Sequence, residues 1–366
     1  MKPKPFALER YFDRYEFSTR YLLCSSDAES LSLSDVLALE PGSTEGLAAL
    51  RLGYTPARGT EELRAAIAAL YANISADQIL VHGGGQEPIF SFMNVALEPG
   101  DHVICQFPAY QSQYSIAEAA GAQITRWQSD LANDGAPDPD DLERLVRPET
   151  RAIVVTSPNN PTGYVFDTER FDAVVAFARK RGLWLFSDEA YRGSERHAED
   201  RHPAACDVYE RAVSLGTTSK AYGLAGLRIG WIATRNRALY ERMAEFKDYV
   251  TICNSAPSEF LAAIGLRHAE ALYERVRAIT TANLNLLDEF FRRRTTLFEW
   301  RRPRAGTTAF PRYLGGSAER LCDDVVRRAG VLLLPSTIFD AGDDRVRVGY
   351  GRKNLPDALA ALDAAL

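Results

Sequence analysis

The strongest constraint on the fold is an alternation of short apolar runs with helical patterns between about residues 58 and 234. Apolar runs typical of buried strands end in glycine or polar residues, and helical patterns separate them. Parallel strands need such crossovers, and helices on both faces make the strands apolar throughout. The pattern therefore predicts an α/β fold, a three-layer sandwich around a mostly parallel sheet. The predicted strands are 78–85, a run that ends in glycines, 102–107, 151–158, 183–190, 212–219 and 227–234, and the predicted helices are 58–72, 87–97, 115–122 and 167–182.

The pattern changes after about residue 235. Long helical stretches at 236–250 and 259–294 are followed by two short strand candidates, 331–335 and 345–350, and by a terminal helix. This pattern predicts a second, smaller α+β domain that the N-terminal residues complete. The predicted large domain covers 46–255, and the small domain combines 1–45 with 256–366.

Charge and composition exclude several functions. The 43 Lys and Arg against 49 Asp and Glu give a net charge of −6, which disfavours a nucleic-acid partner. No window approaches 18 uncharged apolar residues, and the N-terminal lysines precede no apolar segment, so neither a membrane span nor a signal peptide is predicted. The five cysteines lack a C-x-x-C pair and read as reduced thiols of a cytoplasmic protein. GSERHAEDRHP (193–203) reads as a polar surface loop, and without metal-ligand spacing no metal is predicted there.

Four polar features follow predicted strands, at the edge where open α/β sheets bind ligands. Gly83, Gly84, Gly85 and Gln86 offer backbone amides to a phosphate, but they lack the G-x-G-x-x-G spacing of a dinucleotide site. SPNNPTG (157–163) forms a turn beyond a buried strand. Asp188 ends an apolar strand and needs a cationic or hydrogen-bonding partner. GTTSKAYGLAGLRIGW (216–231) carries Lys220 and Arg228 in a loop rich in glycine and hydroxyl groups.

In sequence order, seven segments resemble the class I/II aminotransferases of the fold-type-I pyridoxal-phosphate-dependent family. The resemblance runs from about Leu52 to Arg352. It implies pyridoxal 5'-phosphate as cofactor, small-molecule amino acid and 2-oxo acid substrates, and a homodimer with shared active sites. The segments are YTPARG, HGGGQE, FPAYQSQY, SPNNPTG, SDEAY, TTSKAYGLAGLRIGW and VRVGY.

The resemblance also implies individual roles. Lys220 matches the lysine that forms a Schiff base with the cofactor and moves the substrate's proton, which requires a depressed pKa. Asp188 matches the carboxylate that pairs with the pyridine nitrogen, and Arg347 matches the clamp for the substrate carboxylate. Tyr191 and Asn160 match the residues that donate hydrogen bonds to the phenolic oxygen of the cofactor, and Tyr110 matches the aromatic residue that stacks on its ring. The residues that match those binding the cofactor's phosphate are Gly85, Gln86, Thr217 and Arg228. Tyr54 matches a tyrosine that reaches the phosphate bound in the other subunit.

One departure leaves the reaction open. The N-terminal segment that passes over the substrate in this family usually contains glycine, whereas 21–39 has Ser25, Ser26 and Asp27 and no glycine. In this it resembles the subgroup of capreomycidine-synthase-like enzymes, although drift in a mobile segment is the simpler explanation. The first hypothesis is an aminotransferase for an α-amino acid. The alternative is a lyase, cyclase or oxidase of secondary metabolism on an arginine-like amino acid, whose guanidinium could meet Glu16, Asp27 or Glu29.

Overall fold

The computed structural model describes residues 2–132 and 135–366. The helices are α1 Ala7–Tyr15, α2 Leu33–Leu37, α3 Ser43–Ala49, α4 Glu61–Ala68, α5 Gln86–Val95, α6 Ser112–Ala119, α7 Asp141–Leu145, α8 Thr168–Arg181, α9 Ala205–Val208, α10 Arg237–Lys247, α11 Ala256–Arg267, α12 Ala269–Arg292, α13 Ala318–Ala329 and α14 Leu355–Ala365. The strands are β1 Ile79–His82, β2 His102–Phe107, β3 Gln123–Gln128, β4 Thr150–Thr156, β5 Trp184–Asp188, β6 Ala212–Thr217, β7 Gly230–Ala233, β8 Phe298–Glu299, β9 Thr308–Ala309, β10 Arg312–Tyr313, β11 Leu334–Pro335 and β12 Val346–Gly349.

A seven-stranded sheet in the order β1-β7-β6-β5-β4-β2-β3 forms the middle of the molecule. The pairs from β3 through β2, β4 and β5 to β6 are parallel, and β7 is antiparallel to both β6 and β1. This arrangement confirms the predicted α/β class and the mostly parallel sheet. The sequence analysis missed β3, because this edge strand buries only Trp127 and has no continuous apolar run.

Successive strand residues point to opposite faces of this sheet, and helices cover both faces. Val103 and Cys105 of β2 pack in one cluster with α5, α6 and α10, while Ile104 between them packs in another with α8. A third cluster, on the same face as α8, joins β1 and β7 to α4 and α11. The burial of both faces explains why the predicted strands are continuously apolar.

The remaining elements pack around two smaller sheets. Strands β11, β12 and β9 form one sheet and β10 with β8 the other, and they share a cluster with α12, α13 and α14. The helical stretch predicted at 259–294 is divided into α11 and α12, because the chain leaves helical geometry at His268 (φ −107°) between them. Since α11 packs with α4, the hydrophobic clusters do not by themselves mark a boundary at 255, and the two-domain division stays a prediction.

The prediction of a polar surface loop at 193–203 is wrong for part of that segment. Glu195 and His202 are buried, although the sequence around them is almost entirely polar. The Glu195 carboxylate accepts hydrogen bonds from the Gly193 amide and from Arg201 Nε. The His202 ring stacks on Phe171 with centroids 3.8 Å apart. Local partners therefore satisfy these side chains away from water.

Candidate active site

A cavity of about 380 Å³ opens at the carboxyl ends of the parallel strands. A larger cavity of about 640 Å³ reaches Thr217 but is not lined by Lys220 or Asp188, so it lies apart from the predicted chemistry. Among the predicted site residues, those that line the smaller cavity are Gly85, Gln86, Tyr110, Asn160, Asp188, Tyr191, Thr217, Lys220 and Arg228. The strand-and-helix order of the sequence therefore brings together residues more than 100 positions apart.

Lys220 follows β6 and reaches into this cavity. Its Nζ donates a hydrogen bond to Ser26 Oγ at 2.9 Å. Burial lowers the pKa of Lys220 to about 8; the charge of Asp27 opposes this shift, and those of Arg347 and Arg228 add to it. At mildly alkaline pH a substantial fraction of this amine is therefore neutral, as a nucleophile or proton acceptor requires.

Asp188 ends β5 and is buried beneath the cavity. Its Oδ2 accepts a hydrogen bond from Gln113 Nε2 at 2.7 Å, and its Oδ1 accepts one from the Ala190 amide at 3.1 Å. Burial nevertheless raises the pKa of Asp188 to about 6, although both hydrogen bonds and the charge of Lys220 oppose the shift. A buried carboxylate of this kind is stabilised by a cationic partner placed against it.

Arg347 in β12 is fully buried beside Asn160. Its Nε donates to the Cys24 carbonyl and its Nη1 to Asn160 Oδ1, each at 3.0 Å. Among the described residues, Arg347 Nη2 is buried without a hydrogen-bond partner, and Tyr191 Oη is buried near Ser26 without a hydrogen bond of standard geometry. Unpaired donors of this kind are costly inside a protein, and ligand atoms would satisfy them.

The glycine run before α5 forms part of the predicted phosphate seat. The Gly83 amide donates to the Glu87 carboxylate and the Gly84 amide to the His82 carbonyl, so neither is available to a ligand. Gly85 and Gln86 remain at the start of α5, where amides have no partner within the helix. Gly84 has φ +84°, and the Arg228 guanidinium packs so closely against it that a Cβ at this position would collide with Arg228 Nη2. Arg228 therefore lies beside the predicted phosphate seat.

Tyr54 and Thr217 differ from the other predicted residues. Tyr54 is 93% exposed and lines a separate cavity of about 300 Å³, so it does not reach the active site of its own chain. The Thr217 side chain lies at the cavity, but its hydroxyl already donates to the Ile229 carbonyl and contacts Ser219 Oγ. Tyr110 lines the cavity and packs against Phe6, with ring centroids 5.0 Å apart.

Helix α1 contributes Phe12 to the cavity wall, together with Leu8 and Glu9, which the sequence analysis did not assign to the site. Glu16, next to the end of α1, also lines the cavity, as the arginine-like hypothesis requires. Asp27 lines it too, but its carboxylate forms a bidentate ion pair with Arg352 at 3.1 and 2.9 Å. Glu29 does not line the cavity, and its Oε2 accepts from the Lys353 amide instead. Gln113 was missed although it lies within the FPAYQSQY segment.

The residues present fit pyridoxal phosphate. Lys220 offers an amine with a lowered pKa, and Asp188 offers a buried carboxylate that needs a cation such as a protonated ring nitrogen. The buried Tyr191 hydroxyl offers a donor, while Arg228 and the start of α5 offer the cation and amides that a phosphate requires. Within the described part of the chain, no group of three or more His, Cys, Asp or Glu is suited to a metal ion, and no helix is long and apolar enough to cross a membrane.

Comparison with known proteins agrees with this geometry. Residues 22–362 match the model of the family "Aminotransferase class I and II". The chain is 32% identical to capreomycidine synthase of Streptomyces vinaceus, over 98% of this chain and 93% of that protein. A pyridoxal-phosphate-dependent aminotransferase of Streptococcus suis superposes with a TM-score of 0.94 at 31% identity, covering 100% of this chain and 98% of that one. The pyridoxal-phosphate-dependent cyclase OrfR superposes with a TM-score of 0.91 at 28% identity, covering 100% and 97%. The chain therefore belongs to the class I and II aminotransferase family, whose cofactor is pyridoxal phosphate.

Proposed function

We propose that this protein is an aminotransferase that moves the amino group of an α-amino acid to a 2-oxo acid. The observation that carries the proposal is that a lysine with a lowered pKa and a buried carboxylate line one cavity, while a buried arginine that does not itself line the cavity is hydrogen-bonded to Asn160 in its wall. These are Lys220, Asp188 and Arg347. They match in kind what the reaction needs: an amine, a partner for a ring cation and a carboxylate clamp.

The proposed cofactor contacts follow from the charges of the site. Asp188 would hold a proton on the ring nitrogen, and the buried Tyr191 Oη would donate to the phenolic oxygen. Asn160 provides a further amide near this oxygen. Gly85, Gln86 and Arg228 hold the phosphate, and Tyr110 packs on the ring. When bound, the cofactor supplies an electron-poor ring that stabilises negative charge at the substrate's α-carbon.

In this proposal Lys220 is the base that accepts the proton of the substrate's α-carbon. With substrate and cofactor bound, the neutral Nζ of Lys220 would accept the proton released from the substrate's α-carbon. Ser26 Oγ, 2.9 Å away, accepts a hydrogen bond from the ammonium that results. The low pKa of Lys220 keeps the transfer reversible near neutral pH, as a general base requires.

Arg347 orients the substrate. Two of its three nitrogens are fixed by Cys24 and Asn160, which leaves Nη2 to donate to the substrate's α-carboxylate. Because the guanidinium is buried and always charged, its pairing with a carboxylate is strong and directional. Leu8 and Phe12 of α1 line the cavity, and these apolar side chains would exclude water from the bound substrate.

We also propose a homodimer with shared sites, located in the cytoplasm. Thr55 Oγ1 donates to the Asn254 carbonyl, so the segment around Tyr54 lies beside the loop that precedes α11. Both segments expose large apolar side chains, including Leu52 at 82% and Tyr249 at 92%. Burial against a second copy would remove these surfaces from water and carry Tyr54 towards the partner's phosphate seat. The five free cysteines accord with a reducing compartment.

A second candidate function is a cyclase or lyase reaction on the same carbanion. The similarity to capreomycidine synthase and to the cyclase OrfR favours it. So does Ser26, because this hydroxyl stands beside Lys220 in a segment that usually contains glycine in the family. A group that holds a proton near Lys220 could serve elimination as well as transamination.

Product analysis distinguishes the two functions. The cofactor-loaded protein is mixed with a panel of single amino acids, without an acceptor. We expect one equivalent of 2-oxo acid per site and retention of the amino group on the cofactor, and turnover should then begin once a 2-oxo acid is added. Ammonia or a cyclised product, with no aminated cofactor, would contradict the aminotransferase and support the second candidate.

A further inference from the structure

The larger cavity, of about 640 Å³, takes no part in the proposed chemistry. Its volume is in the range of small-molecule sites. It extends from exposed residues, including Ala69, Arg267 and Glu270, to buried residues of β6 and β7, Gly216 and Trp231. The charges at its mouth are already in use, because Arg267 and Glu270 form ion pairs with residues outside the cavity. The charges that await a partner therefore lie deeper.

Four aromatic side chains line this cavity, namely Tyr71, Tyr222, Trp231 and Tyr273. Their polar atoms pair with one another. Trp231 Nε1 donates to Tyr71 Oη at 2.8 Å, and the hydroxyls of Tyr222 and Tyr273 share a hydrogen bond. The ring surfaces remain for contact with a ligand, so this wall favours an aromatic or large apolar group.

Glu189, the residue after Asp188, presents a buried carboxylate to the cavity, with its side chain 1% exposed. Its Oε1 accepts hydrogen bonds from the Ala205 amide at 3.0 Å and from Ser214 Oγ at 2.7 Å. The Ser187 hydroxyl lies near the carboxylate, but Glu189 Oε2 has no hydrogen bond of standard geometry. A buried carboxylate oxygen of this kind calls for a donor or a cation.

Arg192 places the opposite charge beside Glu189. Its Nη1 lies 4.0 Å from Glu189 Oε2, too far for a hydrogen bond, and donates instead to the His202 carbonyl at 2.8 Å. Within the described part of the chain, this is the only hydrogen bond that the Arg192 guanidinium donates. Arg201 also lines the cavity, but its Nε is paired with Glu195. A carboxylate and a guanidinium with unused capacity therefore stand next to each other.

A free α-amino acid carries the complementary pair of charges. Its ammonium and carboxylate are attached to one carbon, so they can meet Glu189 and Arg192 at the same time. A simple carboxylate would leave Glu189 without a cation, and a simple amine would leave Arg192 without an anion. We propose that the larger cavity is a second amino-acid site, in which Glu189 binds the ammonium, Arg192 binds the carboxylate and the four aromatic residues bind an aromatic or large apolar side chain.

This site adjoins the active site without including its reactive groups. Ala190 and Thr217 line both cavities, whereas Lys220 lines only the smaller one. An amino acid in the larger cavity therefore lies against the wall of the active site but out of reach of the Lys220 amine. It is bound as a ligand and is not consumed there, so the inference goes beyond the proposed function.

Calorimetry with L-phenylalanine tests this inference. The cofactor-loaded protein is first treated with borohydride, so that the probe does not react at Lys220. The comparison ligands are 3-phenylpropanoate, which lacks the ammonium, and 2-phenylethylamine, which lacks the carboxylate. We expect each of them to bind at least about tenfold more weakly than L-phenylalanine, because each loses a charge-assisted hydrogen bond. Either analogue binding as tightly as L-phenylalanine would overturn the inference.

Arg192→Gln keeps a donor for the His202 carbonyl but removes the charge. It should weaken the binding of L-phenylalanine at least about tenfold and leave that of 2-phenylethylamine nearly unchanged. Arg242→Gln is the matched control, because Arg242 also donates to a backbone carbonyl, that of Val95, and does not line the cavity. It should bind L-phenylalanine as the unmodified protein does.

A second variant covers the case in which Arg192→Gln does not fold. Ala69 is exposed at the mouth, so Ala69→Trp narrows the opening without entering the core. We expect this variant to lose L-phenylalanine binding while its melting temperature stays close to that of the unmodified protein. Binding that persists unchanged in a folded Arg192→Gln, or in Ala69→Trp where Arg192→Gln does not fold, would place the probe elsewhere and overturn the inference.

Discussion

Lys220→Ala is expected to lower the rate of product formation by about 10⁴-fold, the upper range for loss of an acid–base group. Lys220 is the only lysine that lines the cavity within the described residues. Its removal takes away both the covalent attachment point of the cofactor and the group that accepts the α-proton. We expect the steady-state rate to fall while circular dichroism and the melting temperature stay close to those of the unmodified protein.

Lys220→Arg is the control for charge. It keeps a cation at the same place, but a guanidinium does not become neutral at physiological pH. If the neutral amine is what matters, the arginine variant should be as inactive as the alanine variant. A variant of either kind that retains more than about a tenth of the activity would contradict the role given to Lys220, because such a loss is too small for an acid–base group.

Asp188→Asn is expected to lower the rate by about 10³-fold, within the range seen when one preorganised electrostatic group is removed, and to make the cofactor-free protein more stable. The amide cannot hold a proton on the ring nitrogen by charge, so the carbanion loses its stabilisation. In the cofactor-free protein the ionised Asp188 carboxylate destabilises the folded state, because burial raises its pKa to about 6. Ionisation of Asp188 at pH 7 then lowers the free energy of unfolding by about 3 kcal/mol. Asp188→Asn removes this penalty but loses about one hydrogen bond, so the variant should be more stable by about 1–2 kcal/mol.

The pH dependence gives a separate check. A carboxyl group with a raised pKa makes the folded state bind its proton more readily than the unfolded state, so this group favours folding as pH falls from about 6 towards 4. Denaturant unfolding of the cofactor-free protein should show this contribution, and the difference between Asp188→Asn and the unmodified protein should shrink over that range. A difference that is constant with pH, or a variant with full activity, would contradict the role given to Asp188.

Much of the site could be predicted because its residues follow strands in short segments. Asp188 ends a continuous apolar run, and Lys220 and Arg228 share one loop after the next strand. Parallel topology then places them at a single edge, and all three line one cavity. Gln113 could also have been found, because it lies within a segment already singled out.

Other features depend on contacts that no local pattern reveals. Glu16 reaches the cavity only because α1 docks against Gln111 and Leu333 from distant parts of the chain. Which glycine amides can bind a ligand also depends on such contacts, because the Gly83 amide donates to the Glu87 carboxylate and the Gly84 amide to the His82 carbonyl. The burial of His202 depends on its stacking with Phe171, so a polar segment gives no hint of it.

The attachment of the cofactor to Lys220 is the central claim, and borohydride reduction followed by peptide mass spectrometry tests it most directly. The reagent converts a carbon–nitrogen double bond between lysine and cofactor into a stable amine. We predict one phosphopyridoxyl group per chain, on the peptide that carries Lys220, and none after the same treatment of Lys220→Ala. An adduct on another lysine, such as the buried Lys247, or no adduct in the cofactor-loaded protein, would contradict the account.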